Sequence, residues 1–558
     1  MNRSLCVPKL CGADVELGNF ILGPSTHGDS GAEAARALLS EVARLAGVPL
    51  MVRSSGTEST YDPQDWARCF LPGNGGCAYI DLDHLEICLP EVVSAWDHVA
   101  AWHALLRIAH QAQRAANQDR PPERRIQVLV NNSDGRGHSY GSHLNLLVSR
   151  SAWDNIVNRK PHYLAFLASF QSSSLILTGQ GKVGSENDAP GVNYQISQRA
   201  DFVETLTGTQ TTVFRPLVNT RDEALCGRYG HQQTDLARLH VIFHDSTLCH
   251  VASLLKVGTM QIVLAMIEAG QVDSTLALED PLSAVWQWSH DPSLRTRAPR
   301  VCGGALTAVE LQRRFLDAAA RFVASGATDG IVPRAQEIVE LWEDTLNRLA
   351  TRDWAVLAGR LDWVLKLSLI ERVLRQRPEL HWDSPEIKHL DHMYASLDPE
   401  DGLFWSLERH GLIERVVSEE EIARFTREPP ADTRAWGRAM LQRRAGDNAV
   451  KVDWDVMRVR VPDSLFGSTT WRVDLGDPFA WNRNSFESVA STAHTLQELL
   501  RGLGAECEAW PGTWQHTQDS RSVGWAYGPS RGASLARSDP SEWQPHDQRG
   551  DGGNDGSS

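Results

Sequence analysis

The sequence lacks the features that mark several protein classes. It has nine cysteines, an odd number, and none of them forms a Cys-x-x-Cys pair. This pattern disfavours a disulfide framework or a zinc site and is expected of reduced thiols in a cytosol. The N-terminus has no apolar run typical of a signal peptide, and no 18-residue apolar stretch suggests a membrane span. We therefore expect a cytoplasmic protein with no membrane partner.

A basic excess is also absent, because the formal net charge is -15. A general nucleic-acid binder would carry a basic footprint, so we expect no nucleic-acid partner. The hydrophobic content of 42% and the charged content of 22% are those of a globular protein. A chain of 558 residues is long enough to bury a large core and predicts two domains.

The most informative stretch is 79–91, in which three carboxylates lie close together. In a strand, Tyr79, Asp81 and Asp83 would lie on one face because side chains alternate. Glu86 follows, and several acids on one face repel each other unless a cation lies among them. Mg²⁺ prefers carboxylate oxygens. The alternative is a solvated polar face between two short strands.

Two further stretches add candidate ligands. Residues 8–22 are predicted to form a strand in which Asp14 and Glu16 lie on the same side. A salt-bridged sheet edge is the alternative there. His143 lies near the start of a strand that follows a Gly-rich loop. It is either structural or a ligand, depending on whether the other carboxylates face the same cavity.

Two arginines lie in or beside apolar, strand-like sequence. Arg199 and Arg221 would be at least partly buried there, and a buried arginine needs an anionic partner. The planar guanidinium fork suits phosphate. Nearby Asp and Glu side chains could satisfy both arginines instead. Elsewhere, the pattern predicts helices over 31–46, 91–118 and 246–270.

A series of short motifs then occurs in a fixed order. They are Gly12-Ala-Asp-Val-Glu-Leu-Gly18, Asn74-Gly-Gly-Cys-Ala-Tyr-Ile-Asp81, His84-Leu-Glu86, Asn131-Asn-Ser-Asp134, Ser139-Tyr-Gly-Ser-His-Leu-Asn145, Ser197-Gln-Arg-Ala200, Asn219-Thr-Arg-Asp-Glu223, Arg238-Leu-His-Val241 and Leu255-Lys-Val-Gly-Thr259. This order resembles the Pup ligase and depupylase (Pup deamidase) family, of the proteasome accessory factor type. With Leu361-Asp-Trp-Val364 and Lys451-Val-Asp-Trp454, the resemblance covers roughly residues 12–482.

The resemblance implies a role for each matched position. Asp81 matches the catalytic aspartate, and Trp454 matches a tryptophan beside the adenine of ATP. Arg199 and Arg221 match arginines that hold the ATP phosphates. The positions that hold Mg²⁺ or lie beside it correspond to Asp14, Glu16, Tyr79, Glu86, His143 and His240.

The resemblance also implies the fold. We expect an α+β protein with a glutamine-synthetase-like curved antiparallel sheet, packed helices and a small C-terminal domain. The predicted catalytic domain spans 1–434, and the small domain spans 435–483. A connecting helix is predicted over 484–502. The tail over 503–558 is polar and Gly-rich, so it is predicted to be disordered.

The implied activity is ATP-dependent chemistry at the C-terminal Glu or Gln of a small ubiquitin-like modifier (Pup-like) and its protein conjugates. The Asp134-Gly-Arg-Gly137 motif, the Gln195–Phe202 segment and the polar loop over 53–76 favour the depupylase branch. One alternative is a Pup–protein ligase that proceeds through an acyl phosphate. A small-molecule carboxylate–amine ligase and an inactive modifier-binding homologue also remain open.

Three departures from the family pattern bear on activity. Cys77 stands where the family has an ATP-contacting arginine, and Leu144 replaces the Glu of a His-Glu-Asn motif. Asp14 replaces a Glu with a longer side chain. These changes indicate a divergent member of the family.

Overall fold

The computed structural model describes residues 6–23, 30–48, 68–223, 225–226, 235–462 and 467–508. The strands of these residues, in chain order, are β1 (Cys11–Ile21), β2 (Cys69–Phe70), β3 (Cys77–Asp81), β4 (His84–Cys88), β5 (Ile126–Leu129), β6 (Ser142–Ser149), β7 (Lys182–Val183), β8 (Tyr194–Gln195), β9 (Val203–Gly208), β10 (Arg215–Asn219), β11 (Leu236–Val241), β12 (Ala298–Pro299), β13 (Ala305–Leu306), β14 (Ala449–Val452), β15 (Val456–Pro462), β16 (Ser468–Asp474) and β17 (Glu506–Glu508).

Helices fill most of the chain between these strands. They are α1 (Ser30–Ala46), α2 (Ala95–Ala116), α3 (Arg150–Asp154), α4 (Pro161–Thr178), α5 (His250–Glu268), α6 (Pro281–Ser289), α7 (Ala308–Ala324), α8 (Ala335–Thr351), α9 (Trp354–Leu357), α10 (Asp362–Gln376), α11 (Pro385–Tyr394), α12 (Leu403–Arg409), α13 (Glu419–Phe425), α14 (Arg434–Ala445), α15 (Arg483–Ala490) and α16 (Leu496–Gly502). The predicted α+β class is thus what the structure shows.

Strand β1 lies in the middle of the largest sheet, whose order is β11-β6-β1-β4-β3-β2. The first part of β1 pairs antiparallel with β4 and β6, and its last four residues pair with β5. Gly18 lies where β1 changes partner, and a Cβ there would come within 2.6 Å of the Asn131 Oδ1 and the Tyr140 hydroxyl oxygen. Because β1 is central, the alternative of a salt-bridged edge strand is wrong.

The two faces of this sheet differ in polarity. Val15 and Leu17 of β1 lie on the face that packs against helices, and they belong to one continuous hydrophobic core. Helices α1, α2 and α5 contact that face or each other behind it. The alternating positions Asp14 and Glu16 therefore lie on the opposite face. The alternation of polar and apolar side chains along β1 therefore accounts for the difference between the two faces.

One helix, α5, is long and apolar enough to cross a membrane by length and composition. The expectation that no 18-residue apolar stretch exists is therefore wrong as a statement about composition. All of its most apolar window is buried inside the fold. A core helix passes the same test, so α5 is only weak evidence for a membrane span.

A second sheet, of order β14-β15-β16-β17, lies near the C-terminal end of the described chain. It shares a separate hydrophobic cluster with α14, α15 and α16, which includes Trp436, Trp471 and Phe486. The described residues all fall within one compact unit, Met1–Ala509. The division into domains at residue 434 stays a prediction.

The structure differs from the sequence expectations after residue 483. Two helices occupy the segment predicted as one, because the Thr495 side chain accepts a hydrogen bond from the Glu498 amide (3.1 Å) and begins α16 anew. Strand β17 lies inside the predicted tail, and the Glu508 carboxylate accepts from Arg458 Nε at 2.9 Å. The remainder of the tail, 509–558, and residues 53–67 of the predicted loop lie outside the described residues.

Candidate active site

The register of the large sheet brings most of the predicted site residues to one face. Paired residues of antiparallel strands lie side by side on the same face. Directly paired positions of neighbouring strands are Asp14 with His143, Glu16 with Glu86, Glu86 with Tyr79, Asn145 with His240, and Asp81 with His84. The helix-packed face carries the intervening apolar residues.

The hairpin of β3 and β4 corrects one detail of the sequence interpretation. Its turn is Leu82-Asp83, and Leu82 has a φ of 50° in the left-handed region. Asp83 therefore lies exposed in the turn instead of on the strand face with Tyr79 and Asp81. The tight turn places Asp81 opposite His84, two register positions from the Tyr79–Glu86 pair and on the same face.

Three carboxylates form the first ligand cluster. Oxygen atoms of Glu16, Asp81 and Glu86 all lie within 4.8 Å of one another. The Tyr79 hydroxyl donates to Glu86 Oε1 at 2.5 Å. Burial, together with the charges of Asp14, Glu16 and Asp81, raises the pKa of Glu86 well above its ordinary value. Such like charges call for a cation, and hard oxygen donors fit Mg²⁺.

A second cluster combines one carboxylate with two imidazoles. Ligand atoms of Asp14, His143 and His240 all lie within 4.8 Å of one another. His143 Nδ1 is 2.8 Å from Asp14 Oδ1, and His143 Nε2 is 3.9 Å from Glu16 Oε1. His143 thus lies between the two clusters. Its position supports the ligand interpretation over a purely structural one.

His240 has the environment of a metal ligand without a partner. It is buried, and within the described chain neither of its ring nitrogens has a hydrogen-bond partner. Burial lowers the pKa of its imidazole well below the ordinary value. The neutral ring therefore keeps a lone pair to offer. A divalent cation fits both this donor set and the three-carboxylate cluster.

Gly141 is a site residue that the sequence interpretation missed. A Cβ at this position would lie 2.5 Å from His143 Nε2 and 2.7 Å from Glu16 Oε1. Its carbonyl oxygen accepts a hydrogen bond from the Glu16 amide at 3.1 Å. Any side chain at Gly141 would displace ligands of both clusters. A Gly-rich loop signals a turn, but nothing local to the sequence marks this close approach.

The predicted arginines have different surroundings. Arg199 is 1% exposed and donates from Nη1 to the Tyr140 carbonyl oxygen. Arg221 Nε lies 3.4 Å from Glu223 Oε2. Arg238, which the sequence interpretation did not select, also pairs with Glu223 at 2.9 Å. The two predicted arginines therefore belong to separate groups.

Arg238 also connects the ligand clusters to a cavity. Its Nη1 donates to Asn145 Oδ1 at 2.9 Å, and Asn145 Nδ2 donates to Asp14 Oδ2 at 3.1 Å. The cavity has a volume of about 110 Å³. Its lining includes Asp14, Cys88, Asn145, Arg238, Arg434 and Trp454.

Trp454 stands at the other side of this cavity. Its ring meets Phe70 edge-on, with centroids 5.1 Å apart, and the Arg438 guanidinium lies 4.8 Å from its centroid. An aromatic face next to arginines and carboxylates suits a purine ring with attached phosphates. The cavity therefore joins the predicted position of an adenine to the predicted metal ligands.

The two replaced family positions lie on different faces. Leu144 is buried in the helix-packed core, away from the ligand clusters. Cys77 is on the site face, directly opposite Cys88, in a small cluster with Phe70 and next to Trp454. All nine cysteines are free thiols. Of the two replacements, only Cys77 borders the candidate site.

Two ligand clusters flanked by guanidinium groups define a site of the kind that binds divalent cations together with phosphate groups. The family model of the Pup-ligase protein matches residues 33–458. A Pup deamidase/depupylase of Mycolicibacterium smegmatis is 35% identical over 455 residues, which are 81% of this chain and 86% of that protein. The chain belongs to the Pup-ligase protein family, and the prediction from the motifs is confirmed.

Relatives with the other activity are similar in sequence as well. A Pup–protein ligase of Kocuria rhizophila is 33% identical over 460 residues, covering 79% of this chain and 91% of that protein. Among solved structures, the Pup ligase PafA in complex with Pup matches with a TM-score of 0.71 and 24% identity, over 89% of this chain and 91% of that chain. This structural match supports the fold.

Proposed function

We propose that this chain is an ATP- and Mg²⁺-dependent enzyme that cleaves the amide or isopeptide bond at the C-terminal side chain of a Pup-like modifier. One observation carries the proposal: two ligand clusters lie on a single sheet face, and Asp14 of one cluster lines a cavity that Trp454 also lines. Relatives with the depupylase name support this direction at 35% and 36% identity. The nine free thiols are consistent with action in the cytoplasm.

In this proposal the residues of the chain divide the work. Trp454 and Arg238 would bind the nucleotide, and Arg199 and Arg221 would hold phosphate oxygens. Bound Mg²⁺ would offset the charge of the phosphates and carboxylates. Its ligands would come from Asp14, Glu16, Glu86, His143 and His240, with Tyr79 orienting Glu86 through their 2.5 Å hydrogen bond.

Asp81 would act on the scissile bond as the nucleophile or as the base that activates water. A new C–O bond forms to the carbonyl carbon, and the C–N bond breaks. The nitrogen leaves as ammonia or as the substrate lysine amine after it takes up a proton. Water supplies the hydroxyl group of the released carboxylic acid.

The ligase direction is the second candidate, because the ligase relative is nearly as similar as the depupylases. In that direction, a carboxylate oxygen of the modifier attacks the γ-phosphorus of ATP, and the bond to ADP breaks. A lysine amine then attacks the acyl phosphate and phosphate leaves. Asp81 would take the proton of the amine.

The deciding experiment gives the purified chain MgATP and three substrates in separate reactions. They are the modifier ending in Gln, an isopeptide conjugate of the modifier, and the modifier ending in Glu with a lysine-bearing protein. We expect ammonia from the modifier ending in Gln and the free substrate protein from the isopeptide conjugate. Conjugate formation alone would favour the ligase. A fourth reaction contains free glutamate and ammonia. Turnover in that reaction alone, or modifier binding without any ATP-dependent reaction, would contradict both directions.

The metal site has its own test. Calorimetry should show that ATP binds more tightly with Mg²⁺ than without it, and that Glu86→Ala removes most of this difference. Glu371→Ala, on the exposed side of a helix, is the matched control. Equal ATP affinity with and without Mg²⁺ would count against the proposed ligands.

A further inference from the structure

Two guanidinium groups approach the same short loop beside the ligand clusters. Arg215 Nη2 donates to the Ser139 carbonyl oxygen at 2.5 Å, and Arg199 Nη1 donates to the next carbonyl oxygen, that of Tyr140. The residue that follows is Gly141, which lies directly against Glu16 and His143. Three consecutive loop residues thus connect both arginines to the candidate metal ligands.

Among the residues that the structure describes, neither arginine has a carboxylate partner of its own. Within the described ranges, no ion pair with an N–O distance up to 4.0 Å includes Arg199 or Arg215. Asp245 is close to the Arg199 backbone, but its carboxylate accepts from the backbone amides of Gln180 and Gln198 at 2.8 Å. A buried arginine without a paired anion is costly.

Other buried arginines of the chain show the usual arrangement. Arg438 is fully buried like Arg199, and its Nη2 lies 2.5 Å from Glu91 Oε2. Arg434 pairs with the same carboxylate at 2.7 Å. Both of these buried guanidiniums thus have a glutamate beside them. Because the described part of the chain places no such residue beside Arg199 or Arg215, the geometry points to an anion supplied from outside the chain.

The chemistry of the pair agrees with this. Burial and the nearby Arg215 lower the pKa of Arg199 to about 10, so the two positive charges oppose each other. Arg199 Nε is buried and, in the part of the chain that the structure describes, has no hydrogen-bond partner. Arg215 is held over the Phe202 ring and by a 2.9 Å hydrogen bond from Nε to Thr211 O. These contacts hold both side chains in place, and Arg199 Nε can still donate a hydrogen bond to a ligand.

We propose that Arg199 and Arg215 form a two-arginine subsite for an oxyanion that binds against the Glu16 side of the site, with Arg215 as an additional substrate-binding residue. The ligand class is a group with two or more anionic oxygens, which the guanidinium fork recognises. Within the proposed function, on which this inference rests, it is either the terminal phosphoryl group of ATP or the side-chain carboxylate of the modifier. Arg221 and Arg238 belong to a different group, around Glu223.

The test uses the full chain and two variants, Arg215→Gln and Arg215→Lys. Arg313→Gln, an exposed arginine on α7, is the matched control. Calorimetry compares the binding of MgATP with that of MgADP, and the binding of the modifier ending in Glu with that of the modifier ending in Gln. If the subsite holds the phosphoryl group, Arg215→Gln should weaken ATP binding at least about tenfold and leave ADP binding within about twofold.

If the subsite holds the carboxylate, Arg215→Gln should instead weaken binding of the modifier ending in Glu about tenfold, leave binding of the modifier ending in Gln within about twofold, and leave both nucleotide affinities unchanged. Arg215→Lys should recover only part of either effect, because it keeps the charge and loses the fork. Equal losses for ATP, ADP and both modifiers, or no change in any, would overturn the inference. If Arg215→Gln does not fold, Arg215→Lys decides by the same ratios.

Failure of the proposed function would look different. A wild-type chain that binds neither MgATP nor the modifier would contradict the proposed function. Inorganic phosphate then serves as the probe of the subsite, through the rise in Tm that it produces. A rise in the wild type that is lost in Arg215→Gln and kept in Arg313→Gln would sustain the subsite, and an equal rise in all three would overturn it.

Discussion

Glu86 and Glu91 are both buried and lie five residues apart, yet their surroundings have opposite effects on them. Burial and neighbouring carboxylates raise the pKa of Glu86 well above its ordinary value. Burial alone would raise the pKa of Glu91, but the guanidiniums of Arg438 and Arg434 lower it to about 2. Of these two glutamates, Glu91 alone has cationic partners among the residues that the structure describes. Arg438 Nη2 lies 2.5 Å from its Oε2, and Arg434 Nε lies 2.7 Å from its Oε1.

We infer from this difference that Glu91 is a structural carboxylate and Glu86 a functional one. Glu91 joins the loop after β4 to α14, the first helix of the C-terminal cluster. Its charge is neutralised within the chain, so nothing further is needed. Glu86 shares a face with Asp14, Glu16 and Asp81, and a bound cation would compensate their charges. Perturbed carboxyl pKa values of this second kind are typical of functional sites.

The largest expected effect concerns Asp81, which belongs to the same cluster as Glu86. Asp81→Asn is nearly isosteric, so we expect the fold and nucleotide binding to persist. Turnover should fall on the order of 10³-fold or more, since the variant loses the proton acceptor or nucleophile. Steady-state kinetics with the modifier and calorimetry with MgATP measure the two quantities separately.

The matched control is Asp83→Asn, two residues away in the exposed turn. It should keep wild-type turnover, because Asp83 does not lie on the site face. If Asp81→Asn abolishes ATP binding, Asp81 is a metal ligand, which its place in the carboxylate cluster would also allow. Retained turnover in Asp81→Asn would contradict the proposed chemistry.

Local patterns predicted the parts of the site that depend on strand alternation. Asp14 and Glu16 share a face because they are two residues apart, and the β3–β4 hairpin explains Tyr79 and Glu86. The sequence could not show which strand pairs with which. Arg215 therefore escaped notice, because its contact with Ser139 spans 76 positions of the chain.

Two errors have local causes that the pattern did not reveal. Asp83 was expected on the strand face, but the chain turns at Leu82 in the left-handed region, which a leucine seldom adopts. The helix expected over 484–502 is interrupted because Thr495 and Glu498 form a capping box. Both features are visible in the sequence only as weak signals that longer apolar patterns outweigh.

The second prediction concerns Glu91 and its contribution to the stability of the fold. Glu91→Gln leaves the buried guanidiniums of Arg434 and Arg438 without a counter-charge. We expect the free energy of unfolding to fall by about 3–5 kcal/mol. Chemical denaturation at pH 7 measures it. A change below about 1 kcal/mol would mean that the pair contributes no more than a surface ion pair.

The third prediction concerns the stability of the fold at acidic pH. The pKa of Glu91 is lower in the folded chain, about 2, than its ordinary value of 4.5. Its contribution to stability is therefore complete above about pH 4.5 and is lost as the pH falls through about 2. At 1.36 kcal/mol per pKa unit, the contribution is about 3 kcal/mol.

Comparison with Glu91→Gln isolates this contribution from all other acidic groups. The stability difference between wild type and Glu91→Gln should be constant from pH 7 to 5 and then shrink as the pH is lowered toward 3. Urea denaturation at half-unit pH steps measures this difference. A difference that is the same at pH 3 and at pH 7 would contradict the assignment of the low pKa to Glu91.

The smallest expected effect has the opposite sign and concerns Glu86. A carboxyl group whose folded pKa is raised destabilises the fold as the pH rises above its ordinary value of 4.5, because ionisation is easier in the unfolded chain than in the folded one. Glu86→Gln removes this charge and keeps an oxygen to accept the Tyr79 hydroxyl. In the presence of a metal chelator, the variant should therefore be more stable than wild type by about 1 kcal/mol at pH 8.

Added Mg²⁺ should reverse the order, since only the wild type keeps the full ligand set and gains stability by binding. If the variant is less stable than wild type in chelator, Glu86 is a structural carboxylate like Glu91, and the distinction between them fails.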